Sequence, residues 1–481
     1  MMVPSAFEKL PFPACRGLAG PALAAALTLA VSGCASEPAP SASQDGPENA
    51  VLMPVEGDQT ISFKVWFKAG SQNDPAGKSG LAALTGAMIS EGATTENSYS
   101  EILEKLYPLA SSYGVKVDKE MTTLVGRTHV DNLESFFGLF QDAYLKPAFD
   151  EKDFDRLRAR QKSYLETTLR FSSDEELGKA ALTYSAFRGT PYQDPIAGTV
   201  EGLEALTLED VREFYSTHYS QANAVVGLGG GFSGDLAERF AASLEALPAA
   251  GELPPVEVQA VEKTGRHVLL VDKPGADASI SFGFPIDVRR GEKDFYALWI
   301  ANSWLGEHRN TAARLFQVIR EARGLNYGDY SYIEAFPNGG SRSMPPTNVA
   351  RQNQLFEGWI RTLPNEQAAF ALRAALREIE TLINEGMSEE DFELTRSFLR
   401  TYHLHFAPST LERLGYRIDD AFYGIAGSHW GVLEVLPLAS ITKSAKRARA
   451  EIFTPERPSL CWRTLTPASP LRSGLATSPT T

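Results

Sequence analysis

Ser79-Gly80-Leu81-Ala82-Ala83-Leu84-Thr85-Gly86-Ala87-Met88-Ile89-Ser90-Glu91-Gly92 decides how the rest of the chain is read. The run Ile61 to Gly70 before it predicts a strand, and Asn73-Asp74-Pro75-Ala76-Gly77 between the two is a turn. The quoted stretch then predicts an apolar helix that opens on Ser79 and closes at Gly92. Ala83, Gly86 and Ala87 suit tight packing on that helix, and none of them carries a lone pair for a metal or a group that can move a proton.

Working outward, the chain states one order of elements twice. In the first half the strand Ile61 to Lys68 and the helix 79–91 lead to a helix near 98–112, strands Val115 to Val117 and Thr122 to His129, and helices 131–144 and 150–171. In the second half strands His267 to Val271 and Ser279 to Phe284 precede helices 292–305 and 311–322, strands Tyr327 to Ala335 and Leu355 to Thr362, and two long helices. The run from Phe370 to Ser388-Glu389-Glu390-Asp391-Phe392 parallels that from Phe137 to Asp150-Glu151-Lys152-Asp153-Phe154, each pairing an apolar helix with a capped one. The expected fold class is α+β, with two homologous domains, each a mainly antiparallel sheet packed with helices, arranged as a clamshell. The expected boundaries are a first domain at 50–250, a Pro-rich linker at 251–265, a second domain at 266–460 and a divergent tail at 461–481.

The strand, the approach through Gly70-Ser71, Pro75, Gly77 and Gly80-Leu81-Ala82, and the helix after it resemble the zinc-binding segment of the pitrilysin/insulinase metallopeptidase family. The closing run of the first half, Pro191-Tyr192, Gly198-Thr199, Leu206-Thr207, Asp210-Val211, Phe214-Tyr215, Tyr219 and Asn223-Ala224, carries the same resemblance. In that family an inverted H-x-x-E-H helix supplies two zinc ligands on one helix face and a base between them. The resemblance puts the first ligand position on Ala83, the base on Gly86 and the second ligand on Ala87, so the zinc motif is lost. The family's third ligand is a glutamate some seventy-odd residues on; Tyr164-Leu165-Glu166-Thr167-Thr168 offers Glu166 or Thr167 for that place. Arg314-Leu315-Phe316 through Arg320-Glu321-Ala322-Arg323-Gly324-Leu325-Asn326-Tyr327 resembles the family's C-terminal motif, which implies that Arg320 and Tyr327 form a substrate-binding pair. The bland alternative is an amphipathic helix with solvated arginines and a strand tyrosine.

Residues 1–33 are similar to a bacterial lipoprotein signal peptide, with Lys9 and Arg16 before the apolar run Leu18 to Val31 and Val31-Ser32-Gly33 before Cys34. That resemblance implies a lipidated Cys34, and Ser36 after Ala35 points to the outer membrane; an uncleaved helical anchor is the alternative. Residues 34–49 are rich in Pro, Ser and Ala and make a flexible tether. With Cys15 removed and Cys34 lipidated, Cys461 stands alone and no intramolecular disulfide is expected. A net charge of -14 argues against nucleic acid as a partner. His403 and His405 point to different helix faces, and His129, His218, His267, His308 and His429 stand apart, so no second metal site is expected. Gly229-Gly230-Gly231-Phe232-Ser233-Gly234 matches G-x-G-x-x-G, but the acidic residue that a dinucleotide site needs is missing and the glycines read as a turn.

The expectation is a non-catalytic, substrate-binding subunit of a periplasmic zinc peptidase, lipid-anchored outside the cytoplasm. Zinc is expected in a homologous partner and no cofactor in this chain, with a peptide as the shared substrate. An envelope scaffold lipoprotein without peptide handling is the alternative, and a stand-alone zinc peptidase a third reading.

Overall fold

In a computed structural model the strand Thr60–Phe67 is buried along both faces, although an antiparallel strand of a one-sided sheet would alternate. That observation explains how the chain is put together. The structure describes residues 47–261, 265, 267–273, 275, 277–339, 342, 344–406 and 409–429, without the side chains of 403–406. The signal peptide with Cys15 and Cys34, most of the tether, Cys461 and the tail lie outside the described residues.

The first half holds β1 (Ala50–Pro54), β2 (Thr60–Phe67), α1 (Leu81–Glu91), α2 (Tyr99–Leu106), β3 (Ser112–Val117), β4 (Thr122–His129), α3 (Leu133–Leu145) and α4 (Glu151–Ser163). It continues through α5 (Asp174–Phe187), α6 (Val200–Ala205), α7 (Leu208–His218), β5 (Ala224–Gly230) and α8 (Gly234–Ser243). The second half holds β6 (Asp277–Ile286), α9 (Lys293–Gly306), β7 (Asp329–Tyr332), β8 (Gln354–Pro364), α10 (Asn365–Glu385), α11 (Glu389–Phe406) and α12 (Thr410–Phe422). The first sheet runs β1-β5-β2-β4-β3, with only β1 and β5 parallel, and the second runs β6-β8-β7, all antiparallel. The mixed α and β make-up and the predominantly antiparallel sheets are as the sequence predicts.

Each half has its own apolar core. On β2 the residues Ile61, Phe63, Val65 and Phe67 face the first, where the Phe63 ring lies 5.5–5.6 Å from Phe136, Phe137, Phe140 and Phe240. The alternate residues Ser62, Lys64 and Trp66 are also buried, because α12 of the second half covers that face. There Trp66 packs with Met121, Ala350 and Ile418, and Lys64 Nζ donates to Asn348 Oδ1 at 2.6 Å. The second sheet is treated reciprocally. Phe356 and Ile360 of β8 enter the second core, while α5 of the first half lies against the sheet's other face. A Cβ on Gly178 of α5 would stand 2.7 Å from Ser281 Oγ and 3.3 Å from its Cβ, so glycine lets α5 approach β6 without moving that hydroxyl. Arg351 and Asp118 form a buried ion pair between the halves (Nη2–Oδ2, 3.0 Å), and Gln352 N donates to Glu120 Oε1 at 2.5 Å.

Several elements differ from expectation: the helix expected at 311–322 contracts to a π-helical turn, Phe316–Glu321, and the strand expected over Tyr327 to Ala335 to Asp329–Tyr332. The helix expected at 98–112 ends near Leu109. The helix expected at 150–171 changes after Ser163 into a π-helical stretch, Tyr164–Ser172. Residues 267–271 pair with no strand among the described residues, and Val268 and Leu270 are 88% and 85% exposed. Their first-half counterpart, β1, is held by β5, the last strand of its sheet; no described strand follows α12 to do the same.

Candidate functional site at the emptied helix

The helix α1 begins after Gly80, whose φ of +104° is left-handed, and the Asp74 carboxylate accepts from Gly80 N and Ala82 N at 2.7 Å each. Leu84, Met88 and Ile89 turn into the first core, while Ala83 and Ala87, one turn apart, border a cavity. Gly86 faces β3. A Cβ there would lie 2.7 Å from Val117 Cγ2 and 3.3 Å from Val115 Cγ1. The space a glutamate would need at this position is therefore occupied by a stiff β-branched side chain, and the donor set cannot hold zinc. Among the described residues no group of three or more His, Cys, Asp or Glu could hold a metal.

Glu166 and Thr167, the two residues expected to compete for the third ligand position, are exposed and neither borders the cavity. The π-helical stretch alters the turn spacing after Ser163 and carries both away from Ala83 and Ala87. From α4 the cavity is lined by Leu157, Arg160 and Gln161, and Gln161 Nε2 donates to Gly80 O at 3.0 Å and Ala197 O at 2.9 Å. Its spacing of seventy-four residues from Ala87 is the signal that could have found it. A glutamine tied to two backbone carbonyls has become part of the wall.

The cavity has a volume of about 620 Å³ and lies between the halves. The first half contributes α1, β3, α4 and α5, and the second half contributes Glu334 to Asn338, Arg351 and Leu355 with Glu357. Its cations are engaged. Arg160 pairs with Glu91 (2.7 Å), Arg351 with Asp118, Lys116 Nζ donates to Thr347 O at 2.5 Å, and Lys119 to Asp194 O. Lys179 donates to Glu175 at 2.6 Å and Phe336 O at 3.0 Å, and its ammonium lies 5.2 and 5.4 Å from the Tyr332 and Trp359 ring centres. Burial opposes charge on Lys179, but Glu357, Glu176 and Glu175 outweigh it and hold its pKa above the ordinary lysine range. Oε1 of Glu357 is shut away from solvent with no hydrogen-bond partner, and burial pushes this carboxyl up to about 7.

Arg320 and Tyr327 are brought together, though away from the cavity lining. Arg320 sits in a π-helical turn, Phe316–Glu321, with its guanidinium 4.5 Å from the Phe316 ring centre and 4.3 Å from that of Tyr327. Tyr327 is 69% exposed, so the stacked pair presents its phenol outward. Beneath it Asp329 is buried and pushed up to about 7 by that burial.

The described histidines serve local structure. His308 Nδ1 bonds Tyr332 Oη (2.8 Å), His218 Nδ1 bonds Phe214 O (3.0 Å), and His429 is buried against Asp420. The side chains of His403 and His405 lie outside the described residues. A Cβ on Gly230 or Gly231 would collide with Thr60 O or Asp58 O at 2.1 and 2.0 Å, so these glycines serve backbone packing and form no phosphate cradle.

Family models for "Insulinase (Peptidase family M16)" and "Peptidase M16 inactive domain" match residues 50–200 and 205–399. An uncharacterized zinc protease of Bacillus subtilis, YmxG, is 23% identical over 313 residues, 64% of this chain and 74% of that protein. A Helicobacter pylori protein described as the non-peptidase homolog YmxG is 21% identical over 335 residues, 69% of this chain and 72% of its own length. The crystal structure of a peptidase M16 inactive domain from Pseudomonas fluorescens superposes with a TM-score of 0.71 at 21% identity, covering 83% of this chain and 92% of that one.

Proposed function

We propose, for a chain that belongs to the insulinase (M16) family of peptidases, that it is the non-catalytic, substrate-binding subunit of a zinc peptidase whose metal sits in a homologous partner. The observation that carries the reading is the contrast between two sites of one molecule. The helix at Ala83 and Ala87 has no ligand, and the place of the base is filled by Val117, while Arg320 and Tyr327 remain stacked and open to solvent. In this role the Arg320 guanidinium forks onto a peptide carbonyl or carboxylate. The Tyr327 phenol donates to the scissile carbonyl as negative charge develops there. The chain works outside the cytoplasm, anchored by lipid on Cys34 to the outer membrane. Radiolabelled palmitate incorporated into the wild type and absent from Cys34→Ala checks the anchor.

The test of the shared site measures peptide hydrolysis by this chain, by a homologue with an intact H-x-x-E-H helix, and by the two mixed. The expected result is cleavage by the mixture alone, cut more than ~100-fold by Arg320→Ala, as for a lost transition-state contact. A mixture no faster than the homologue by itself overturns the reading. It leaves the scaffold lipoprotein, which the description of the H. pylori relative as a non-peptidase homolog favours.

A further inference from the structure

Of all the asparagines in the chain one alone is followed by glycine, at Asn338-Gly339. The pair comes after Pro337 in the turn beyond β7, where Asn338 is exposed and held at a φ of +51°, the left-handed conformation that asparagine tolerates at such a place. The Asn338 side-chain amide makes no hydrogen bond with a described residue. The peptide plane that joins the pair, Asn338 O and Gly339 N, makes none either. Phe336 O, on which the Gly339 N–H would close the turn, accepts from Lys179 Nζ at 3.0 Å. The Gly339 amide can therefore swing toward the Asn338 side chain without losing a bond, and no Cβ of its own stands in the way. Packing keeps glycine there, since a Cβ on Gly339 would lie 3.1 Å from both His308 Cε1 and Phe336 Cε1. The turn is held against α5 of the first half by Lys179 on Phe336 O and by Asn338 N, which donates to Glu176 Oε1 at 3.1 Å.

We propose that Asn338 is a site of spontaneous modification in the folded protein, converted through a succinimide with Gly339 to aspartate and isoaspartate, and that the product weakens the hold of this turn on α5. The Gly339 nitrogen gives its proton to solvent base and attacks Asn338 Cγ. The N–Cγ bond forms, the bond from Cγ to the side-chain nitrogen breaks, and that nitrogen leaves as ammonia with a proton from water. Water then adds to either carbonyl of the five-membered ring and opens it, giving aspartate or a main chain that runs through Cβ. No metal, redox partner or second protein takes part. Either product puts a carboxylate beside Glu176, where Glu175 and Glu176 already face one ammonium, Lys179, and like charges at such range repel. Isoaspartate also lengthens the main chain by one methylene between the residue that holds Glu176 and Gly339. The change runs one way, lies within one chain, and uses neither the emptied helix nor the Arg320–Tyr327 pair.

Ageing of the full chain at pH 8.5 and 37 °C for two weeks, followed by mass analysis of its tryptic peptides, tests this. The peptide 324–342 is expected to gain one mass unit, placed at 338 by fragmentation, and to take a methyl label from an isoaspartyl methyltransferase. Asn326 in the same peptide, followed by tyrosine, is expected to stay unchanged. Asn338→Gly, which suits the positive φ, should abolish both the mass gain and the label. The aged wild type should unfold at a lower temperature than the fresh protein, and Asn338→Gly at the same temperature before and after ageing. A folded chain that keeps its mass while a synthetic peptide 324–342 gains it under the same conditions overturns the proposal, because the fold would then protect the pair. A mass gain at other positions with none at 338 overturns it equally. Conversion at 338 that leaves the unfolding temperature unchanged overturns the weakened hold on α5.

Discussion

At the residue scale the molecule is decided by what Gly86 leaves out. Alanine is favoured over glycine in a helix interior by about 1 kcal/mol, so Gly86→Ala would ordinarily stabilise α1. Here the new methyl meets Val117 Cγ2 at 2.7 Å, and overpacking of this kind costs about 1–3 kcal/mol. Gly86→Ala is therefore expected to lower the urea midpoint, and Val117→Ala in the same chain to restore part of it; independent effects of the two substitutions would refute the contact. The same helix bears on metal. Ala83→His and Ala87→His together are expected to leave the protein without stoichiometric zinc by plasma emission analysis, since two imidazoles lack a third ligand: Gln161 is tied to Gly80 O and Ala197 O, and Glu166 is exposed away from the cavity. One zinc per chain in that variant would show that another side chain completes the site. A second buried contact is as sharp: Arg351→Met removes the paired guanidinium from the Asp118 carboxylate, 1% exposed, which keeps the Lys119 N–H at 2.7 Å, and is expected to cost about 3–5 kcal/mol, much of it recovered by adding Asp118→Asn.

At the element scale, the halves exchange a helix each, α12 onto the first sheet and α5 onto the second. Ile418 of α12 is fully buried against Trp66, Met121 and Ala350, and its Cδ1 fills the space over Gly227. Ile418→Ala is expected to cost about 2–5 kcal/mol, and because the contact joins two halves it should also raise proteolytic nicking near the 251–261 segment. A variant as resistant as the wild type would show that the halves hold together without α12. The strands, helices and their repeated order were legible because apolar spacing and caps such as Ser98 with Glu101 and Thr207 with Asp210 are local signals. The exchange was not, since Ser62, Lys64 and Trp66 alternate with the apolar residues of β2 as the solvent side of a one-sided sheet would, and they are covered by α12 with Asn348 and Ala350, far along the chain. The emptied zinc helix was legible from Ala83, Gly86 and Ala87. The cavity was not, because Lys179, Arg351 and Glu357 lie far apart in sequence and look like ordinary surface charges. Gln161 was missed because the resemblance of Tyr164-Leu165-Glu166-Thr167-Thr168 drew the reading to Glu166, which the π-helical stretch leaves exposed.

At the scale of the whole molecule, two halves closing on each other bury ionisable groups that would otherwise lie in water, and this gives stability a pH dependence. Glu307, Asp329 and Glu357 are each pushed up to about 7 by burial, against an ordinary carboxyl value near 4 in the unfolded chain. Between those values the folded state holds protons that the unfolded state has released. Their contribution is therefore fully present below about pH 4 and is lost as pH rises through about 7. Lysines run the other way. Burial pushes Lys119 down to about 8, so its contribution is present above the ordinary lysine range and is lost as pH falls through about 8. Below pH 7 the loss from Lys119 is complete; Lys64, pushed down to about 7, and His218 and His429, held below the ordinary histidine range by burial, oppose the carboxyls there, which Asp74, also pushed up to about 7, reinforces. The wild type is expected to unfold at lower urea at pH 7.5 than at pH 5. Glu307 is 6% exposed with Oε2 unpartnered, so Glu307→Gln should remove the largest uncomplicated share of the slope. The variant should gain on the order of 1–3 kcal/mol over the wild type at pH 7.5 and little at pH 5. A gain of the same size at both pH values would mean that glutamine packs better for reasons unrelated to charge, and a loss at pH 7.5 would mean that the buried carboxylate is held by a favourable partner.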